Sequence, residues 1–318
     1  MDTLLIMLKN VVIFVLLAAP GYLLVKGNVL KPQDSGALSK LLTNIGMPAL
    51  ILSSTLGLDL TGQFTVSMVA MALISIVFTS VMFLTSRWLC AGEKNEKTNG
   101  MMRFSMVFVN SGFIGIPLAS AVFGSNSPVV AYVIVSNIVM NVMIFTLGVY
   151  LVSGDKNAIN VKKAVLTPVF LAFLVGIALN LLGVDRIVPE IQTYATHLKG
   201  IVTPLSMAVL GMKLADVPMK RIFTSPRMYY VSFARLVLYP VAGILLMMLL
   251  RLVPAFSLNA DSVIGFFIGF SMPTAGLASV FSDQYGGDTD NAVILTLGTT
   301  IVSILTIPVL YWALRLVV

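Results

Sequence analysis

The sequence predicts an all-α polytopic membrane protein: ten transmembrane helices arranged as two inverted five-helix repeats, with helices 4 and 9 broken where they cross. Three observations predict it. The 318 residues are 58% hydrophobic and only 10% charged, with a mean hydropathy of +0.99, whereas soluble domains carry about 25% charged residues. Apolar runs long enough to span a bilayer follow one another with short polar links between them. Two of these runs carry a polar, proline-containing break at mid-length, Asn110-Ser111-Gly112-Phe113-Ile114-Gly115-Ile116-Pro117 and Gly269-Phe270-Ser271-Met272-Pro273-Thr274-Ala275-Gly276. In lipid every backbone polar group must find a partner, so such backbone survives only where protein or a wet cavity surrounds it. A span interrupted in this way is a binding-site candidate.

The spans run over about 4–26, 35–57, 64–89, 100–123, 128–152, 163–183, 190–214, 227–253, 261–282 and 290–316. Span 1 is an unbroken apolar run without a basic n-region or a small-residue cleavage site, so it reads as a span and not as a removed signal. Span 2 has a central proline in Asn44-Ile45-Gly46-Met47-Pro48. Span 3 carries Arg87 at its end, before the most polar loop, Ala91 to Asn99. Span 4 holds the first break. Span 5 places Asn137 and Asn141 on one helix face, where they either line a cavity or bond neighbouring helices. Only about ten residues separate spans 5 and 6, so no soluble domain is inserted. Span 7 repeats the central proline in Val202-Thr203-Pro204. Span 8 carries Arg235 well inside its apolar run: either a charge partner for the site or a side chain snorkelling to the membrane face. Span 9 holds the second break. Thr299, Thr300 and Ser303 on span 10 read as packing residues.

Pro48 and Pro204 stand 156 residues apart, and so do Pro117 and Pro273. One offset for two pairs predicts a duplication, residues 1–155 and 156–318. Five spans per unit is odd, so the second copy enters from the opposite side. Inverted repeats with discontinuous helices and a midplane site are the signature of secondary transporters. Fourteen basic residues follow spans 1, 3, 5 and 7, among them Lys26, Lys40, Arg103, Lys163 and Lys213. The loops after the even-numbered spans hold few, such as Arg186. The rich side is expected to be cytoplasmic, in the cell membrane, with both termini outside. The net charge of +7 follows from this asymmetry and calls for no nucleic-acid partner. One cysteine, Cys90, and one histidine, His197, exclude a Cys- or His-based metal site, and no cofactor is expected.

Pro117 and Pro273 are expected in the first turn of a second half-helix, where a missing N–H costs nothing, after an unwound turn that Gly112 and Gly115 permit. Both second halves then aim their N-termini, each about +0.5 charge, at one spot in the membrane. Such ends suit a carboxylate, with Asn110, Ser111, Ser271 and Thr274 adding hydrogen bonds. The first halves present carbonyl ends that suit Na⁺ or a basic side chain. All thirteen acidic residues, Asp59 and Asp185 among them, fall in loops or at span ends. That argues against a carboxylate proton relay and favours an anionic substrate.

Asn-Ser-Gly-Phe-Ile-Gly-Ile-Pro-Leu at 110–118 resembles the Asn-x-x-x-x-Gly-Ile-Pro-Leu motif of the auxin efflux carrier family. Thr203-Pro204-Leu205-Ser206 with Leu210-Gly211-Met212, and Ser271-Met272-Pro273 with Phe281-Ser282-Asp283-Gln284-Tyr285, are similar to that family's span-7 and span-9 patterns. The resemblance implies a scaffold of helices 1, 2, 6 and 7 and a transport domain of helices 3–5 and 8–10, as in sodium–proton antiporter and bile-acid symporter-like architectures. It also implies an elevator-type movement, a homodimer, substrate contact by Asn110, and a small carboxylate such as malate, malonate or an auxin-like acid as substrate. The chain resembles the compact prokaryotic form. An alternative is a symporter or exchanger of the same architecture coupled to Na⁺ or H⁺. An intramembrane serine protease would need His197 beside Ser111.

Overall fold

The computed structural model describes residues 2–56, 58, 62–159, 162, 166–183, 189–216 and 218–318. Asp59, Lys163, Asp185 and Arg186 lie outside the described residues. Helix occupies part of each of the ten predicted stretches: α1 (Asp2–Lys26), α2 (Ser35–Leu41) continued by α3 (Met47–Leu56), α4 (Gly62–Leu89), α5 (Glu96–Val107) and α6 (Ser111–Phe123), α7 (Pro128–Ser153), α8 (Pro168–Leu181), α9 (Pro189–Lys199) and α10 (Val202–Asp216), α11 (Pro226–Leu250), α12 (Ala260–Phe270) and α13 (Ala278–Tyr285), and α14 (Thr289–Arg315). Among the described residues, α4, α7, α9 with α10, α11 and α14 are long and apolar enough to cross a membrane. No strand occurs among the described residues, only one isolated antiparallel bridge between Val109 and Thr274.

Helix starts follow from local chemistry. Ser127, Thr167 and Ser225 each precede a proline, and their hydroxyls accept from Val129, Phe170 and Met228 N–H. The hydroxyl satisfies an orphan donor while the proline supplies a preset φ and no N–H. Asn95 does the same for α5 by accepting from Lys97 and Thr98. Asp288 caps α14 through Asn291 N–H.

Two groups of helices form. α1 lies along α10, and α3 packs on α8 and α9. The other group holds α12 against α7, α7 against α4, α11 against α14, and α5 against the end of α7. Small residues set the closest approaches, as expected where helices associate without a hydrophobic driving force. A Cβ at Gly21 would collide with the Ala208 carbonyl, and one at Gly211 with the Ala18 carbonyl. In the second group, the rings of Phe78, Phe266 and Phe270 pack together, with Phe266 and Phe270 stacked at 4.5 Å. Tyr132 shares a 2.6 Å hydrogen bond with Ser67, tying α7 to α4.

The breaks differ in detail from the sequence expectation. α6 starts at Ser111 with a π-helical turn, Ser111–Gly115, and Pro117 falls, as expected, in the first turn of the α-helical stretch that follows, Ile116–Phe123. The wider turn absorbs the N–H that proline lacks. Pro273 lies before α13, which starts only at Ala278, and so belongs to the unwound link. The glycines do not supply unusual dihedrals: positive φ occurs at Gly124, Gly154, Gly183 and Gly286, none of them in a break. Gly112 and Gly115 instead admit close neighbours. A Cβ on Gly115 would stand 3.1 Å from Met272 Cγ, and one on Gly112 3.3 Å from Asn137 Nδ2.

Candidate substrate site at the helix crossover

The two unwound links run antiparallel and hold each other through the backbone. Asn110 N–H donates to Pro273 O at 2.8 Å, and Ala275 N–H donates to Phe108 O at 2.9 Å. Thr274 fixes this junction in three dimensions. Its hydroxyl donates to Ser105 O at 2.9 Å, and its N–H donates to the Thr299 hydroxyl at 3.1 Å. Thr299 was expected only to pack; it is the acceptor that ties α14 to the crossover.

Arg235 resolves the two sequence readings in neither direction. It is 0% exposed, so it does not snorkel. Its guanidinium donates to Met106 O at 2.9 Å and Val107 O at 3.2 Å, and also to Phe270 O. Those carbonyls are the C-terminal ends of α5 and α12. A cation there meets about half a negative charge from each helix end, and the planar fork reaches both helices at once. Arg235 is therefore a basic side chain at the carbonyl ends, and it does not line the cavity.

The N-terminal end of α6 is open. Among the described residues, the N–H groups of Ser111, Gly112 and Phe113 have no backbone acceptor, and the Asn110 side chain has no hydrogen-bond partner. A cavity of about 630 Å³ opens beside Asn110, Gly112 and Phe113, and is also lined by Asn137, Asn141, Thr43 and Lys162 among others. Its apolar wall includes Phe113, Phe145, Met140 and Leu277. Met47, Thr43 and Thr167 come from the first helix group, and Asn110, Asn141 and Phe145 from the second, so the cavity lies between the groups. Among the described residues, no acidic residue lines it.

Four predicted site residues line this cavity: Asn110, Gly112, Asn137 and Asn141. Asn137 donates to the Ser111 hydroxyl at 2.8 Å and accepts from Asn141 at 3.0 Å, so both readings of this pair hold together. Ser111, Gly115, Pro117, Ser271, Pro273 and Thr274 surround the crossover without lining the cavity. Ser111 and Ser271 are fully buried, and the Ser271 hydroxyl has no partner among the described residues. Thr43, Thr167, Lys162 and Lys213 escaped the sequence reading. Lys213 did carry a signal: it is flanked by apolar residues in Leu210-Gly211-Met212-Lys213-Leu214-Ala215, which is a poor loop.

The profile of a family described as "Membrane transport protein" matches residues 6–163 and 156–311. The chain belongs to this family, the auxin efflux carrier family. It is also 29% identical over 306 residues, 94% of each chain, to a protein described as an uncharacterized transporter from Methanothermobacter thermautotrophicus. Family membership and the apolar helices make the chain a multi-pass membrane transport protein. The motif at 110–118 that carried the resemblance gives Asn110, Gly112 and Phe113 to the cavity wall and forms the start of α6.

Proposed function

We propose that this family member is a secondary carrier of small organic anions, with the carboxylate held in front of Asn110 and the N-terminal end of α6. The observation that carries this reading is the cavity, with no acidic residue lining it among the described residues, bordered by the unpaired Asn110 amide and by Gly112 and Phe113, whose backbone N–H groups have no backbone acceptor. Donors without competing carboxylates favour negative charge, and the helix end adds its partial positive charge. The volume is in the range of small-molecule sites, and its aromatic and aliphatic wall suits a hydrocarbon body attached to the carboxylate.

Alternating access is supported by the place of the cavity between two helix groups. The group of α1, α3, α8, α9 and α10 would serve as scaffold, and the group around the crossover would move against it as an elevator. The matching proline offsets support two inverted five-helix repeats within ten spans, with the basic face in the cytoplasm of the cell membrane. A homodimer would assemble through the scaffold. Arg235 already takes the carbonyl ends where a crossover Na⁺ would sit, which supports a carrier that needs no Na⁺ at that place.

Binding to the purified protein tests the reading. Carboxylates from malonate to indole-3-acetate are screened for a rise in apparent Tm, since a ligand of the folded state stabilises by mass action. At least one carboxylate is expected to bind, and Asn110→Ala is expected to weaken it about tenfold, the worth of a hydrogen bond to a charged group. Equal affinity in Asn110→Ala would remove the site from the crossover.

A further inference from the structure

Lys213 lies in the last turn of α10, on the helix group opposite the crossover. Its ammonium reaches across to Gly276 O, in the unwound link of the second break, at 3.5 Å. It borders two small cavities. One, of about 80 Å³, is also lined by Thr43, Asn110, Phe113, Gly276 and Leu277, all of which line the main cavity too. The other, of about 180 Å³, is lined by Gln33, Ser35, Asp216 and Thr296 at the end of the molecule that carries the basic loops. Lys213 therefore borders both a cavity that shares walls with the crossover chamber and a cavity beyond it.

An ammonium offers three donors, and this one has a single, long hydrogen bond to a carbonyl. The ion pairs among the described residues are Arg221 with Asp290 and Arg227 with Glu93. Lys213 pairs with no carboxylate among the described residues, although Asp216 lines the same outer cavity. A partly buried cation without an anion, on the path to a chamber of free N–H donors, lacks the one partner that a carboxylate substrate would bring.

We propose that Lys213 forms a second carboxylate subsite, which takes the substrate's charged end between the crossover and the basic face and sets selectivity for anions over neutral isosteres. This rests on the anion reading above. In that passage the carboxylate exchanges the N–H groups of α6 for the ammonium, so its charge is never left in an apolar channel without a donor. Because Lys213 and Asn110 belong to different helix groups, the two contacts together also link substrate position to the arrangement of the groups.

The test measures uptake into proteoliposomes and direct binding for malonate and phenylacetate, with malonamide and phenylacetamide as neutral isosteres. Lys213→Gln keeps a donor for Gly276 O but loses the charge, whereas Lys213→Arg keeps the charge. Lys213→Gln is expected to raise KM for the carboxylates about tenfold or more while kcat changes little, and to erase the preference over the amides. Lys213→Arg is expected to stay near wild type. If Lys213→Gln does not fold, Lys213→Cys carries the same comparison. Reaction with 2-aminoethyl methanethiosulfonate restores an ammonium and is expected to restore affinity, and the neutral methyl reagent is not. Unchanged KM and selectivity without the charge, in a protein whose wild type binds carboxylates, overturn the subsite alone. A wild type that binds neither carboxylate overturns the subsite and the anion reading together.

Discussion

Arg235 is the single side chain on which the crossover geometry depends most. Its hydrogen bonds to Met106, Val107 and Phe270 carbonyls hold the C-terminal ends of α5 and α12 together inside the protein. Removing one side of such a buried charged contact costs about 3–5 kcal/mol, because the remaining groups stay desolvated and unpaired. Arg235→Ala is therefore expected to lower the apparent Tm in detergent by roughly 5–15 °C. Arg235→Lys should fall between, since a single ammonium reaches fewer of the carbonyls. An unchanged Tm in Arg235→Ala would mean that the helix ends are held without it. Asn110 and Lys213 are residues of another kind. Each has donor capacity that the protein itself leaves unused, and their substitution is expected to act on affinity before it acts on stability.

At the scale of the element, α1 and α10 approach each other closely on both sides. Gly21 faces the Ala208 carbonyl and Gly211 faces the Ala18 carbonyl, so both glycines sit against backbone that cannot rotate away. Gly211→Val is expected to force the pair apart and cost at least about 1–3 kcal/mol, the range for overpacking. Gly36→Ala, where a Cβ meets nothing within 4 Å, is the matched control and should leave the Tm in place. Paired thermal melts of the two variants make the comparison. Equal melting points would show that α1 and α10 do not need their present spacing. The broken elements behave differently. Pro117 stands in the first turn of the α-helical stretch Ile116–Phe123, whereas Pro273 lies before α13 and lends its carbonyl to Asn110 N–H.

At the scale of the whole molecule, the helical class and the place of the breaks were legible because the bilayer penalises unpaired backbone so heavily. Asn110, Pro117 and Pro273 in the middle of apolar runs stood out against that penalty. Side-chain direction was not legible. Ser271 and Thr274 look like site residues by composition, yet one is buried behind the junction and the other bonds Ser105 and Thr299. Lys213 was counted with the loop cations because span ends are read from hydropathy, which is blind to a lysine turned inward. Arg235 could not be assigned because its partners are backbone carbonyls, which every residue carries and no motif records.

The most direct test of a carrier with its site between two moving groups is counterflow. Purified protein is reconstituted into liposomes loaded with an unlabelled carboxylate that stabilises it, in Na⁺-free medium, and the same labelled anion is added outside. Label is expected to accumulate transiently above its external concentration, and Asn110→Ala is expected to suppress that overshoot. Equal label entry into loaded and empty vesicles, with no overshoot, would contradict alternating access and leave a passive pore.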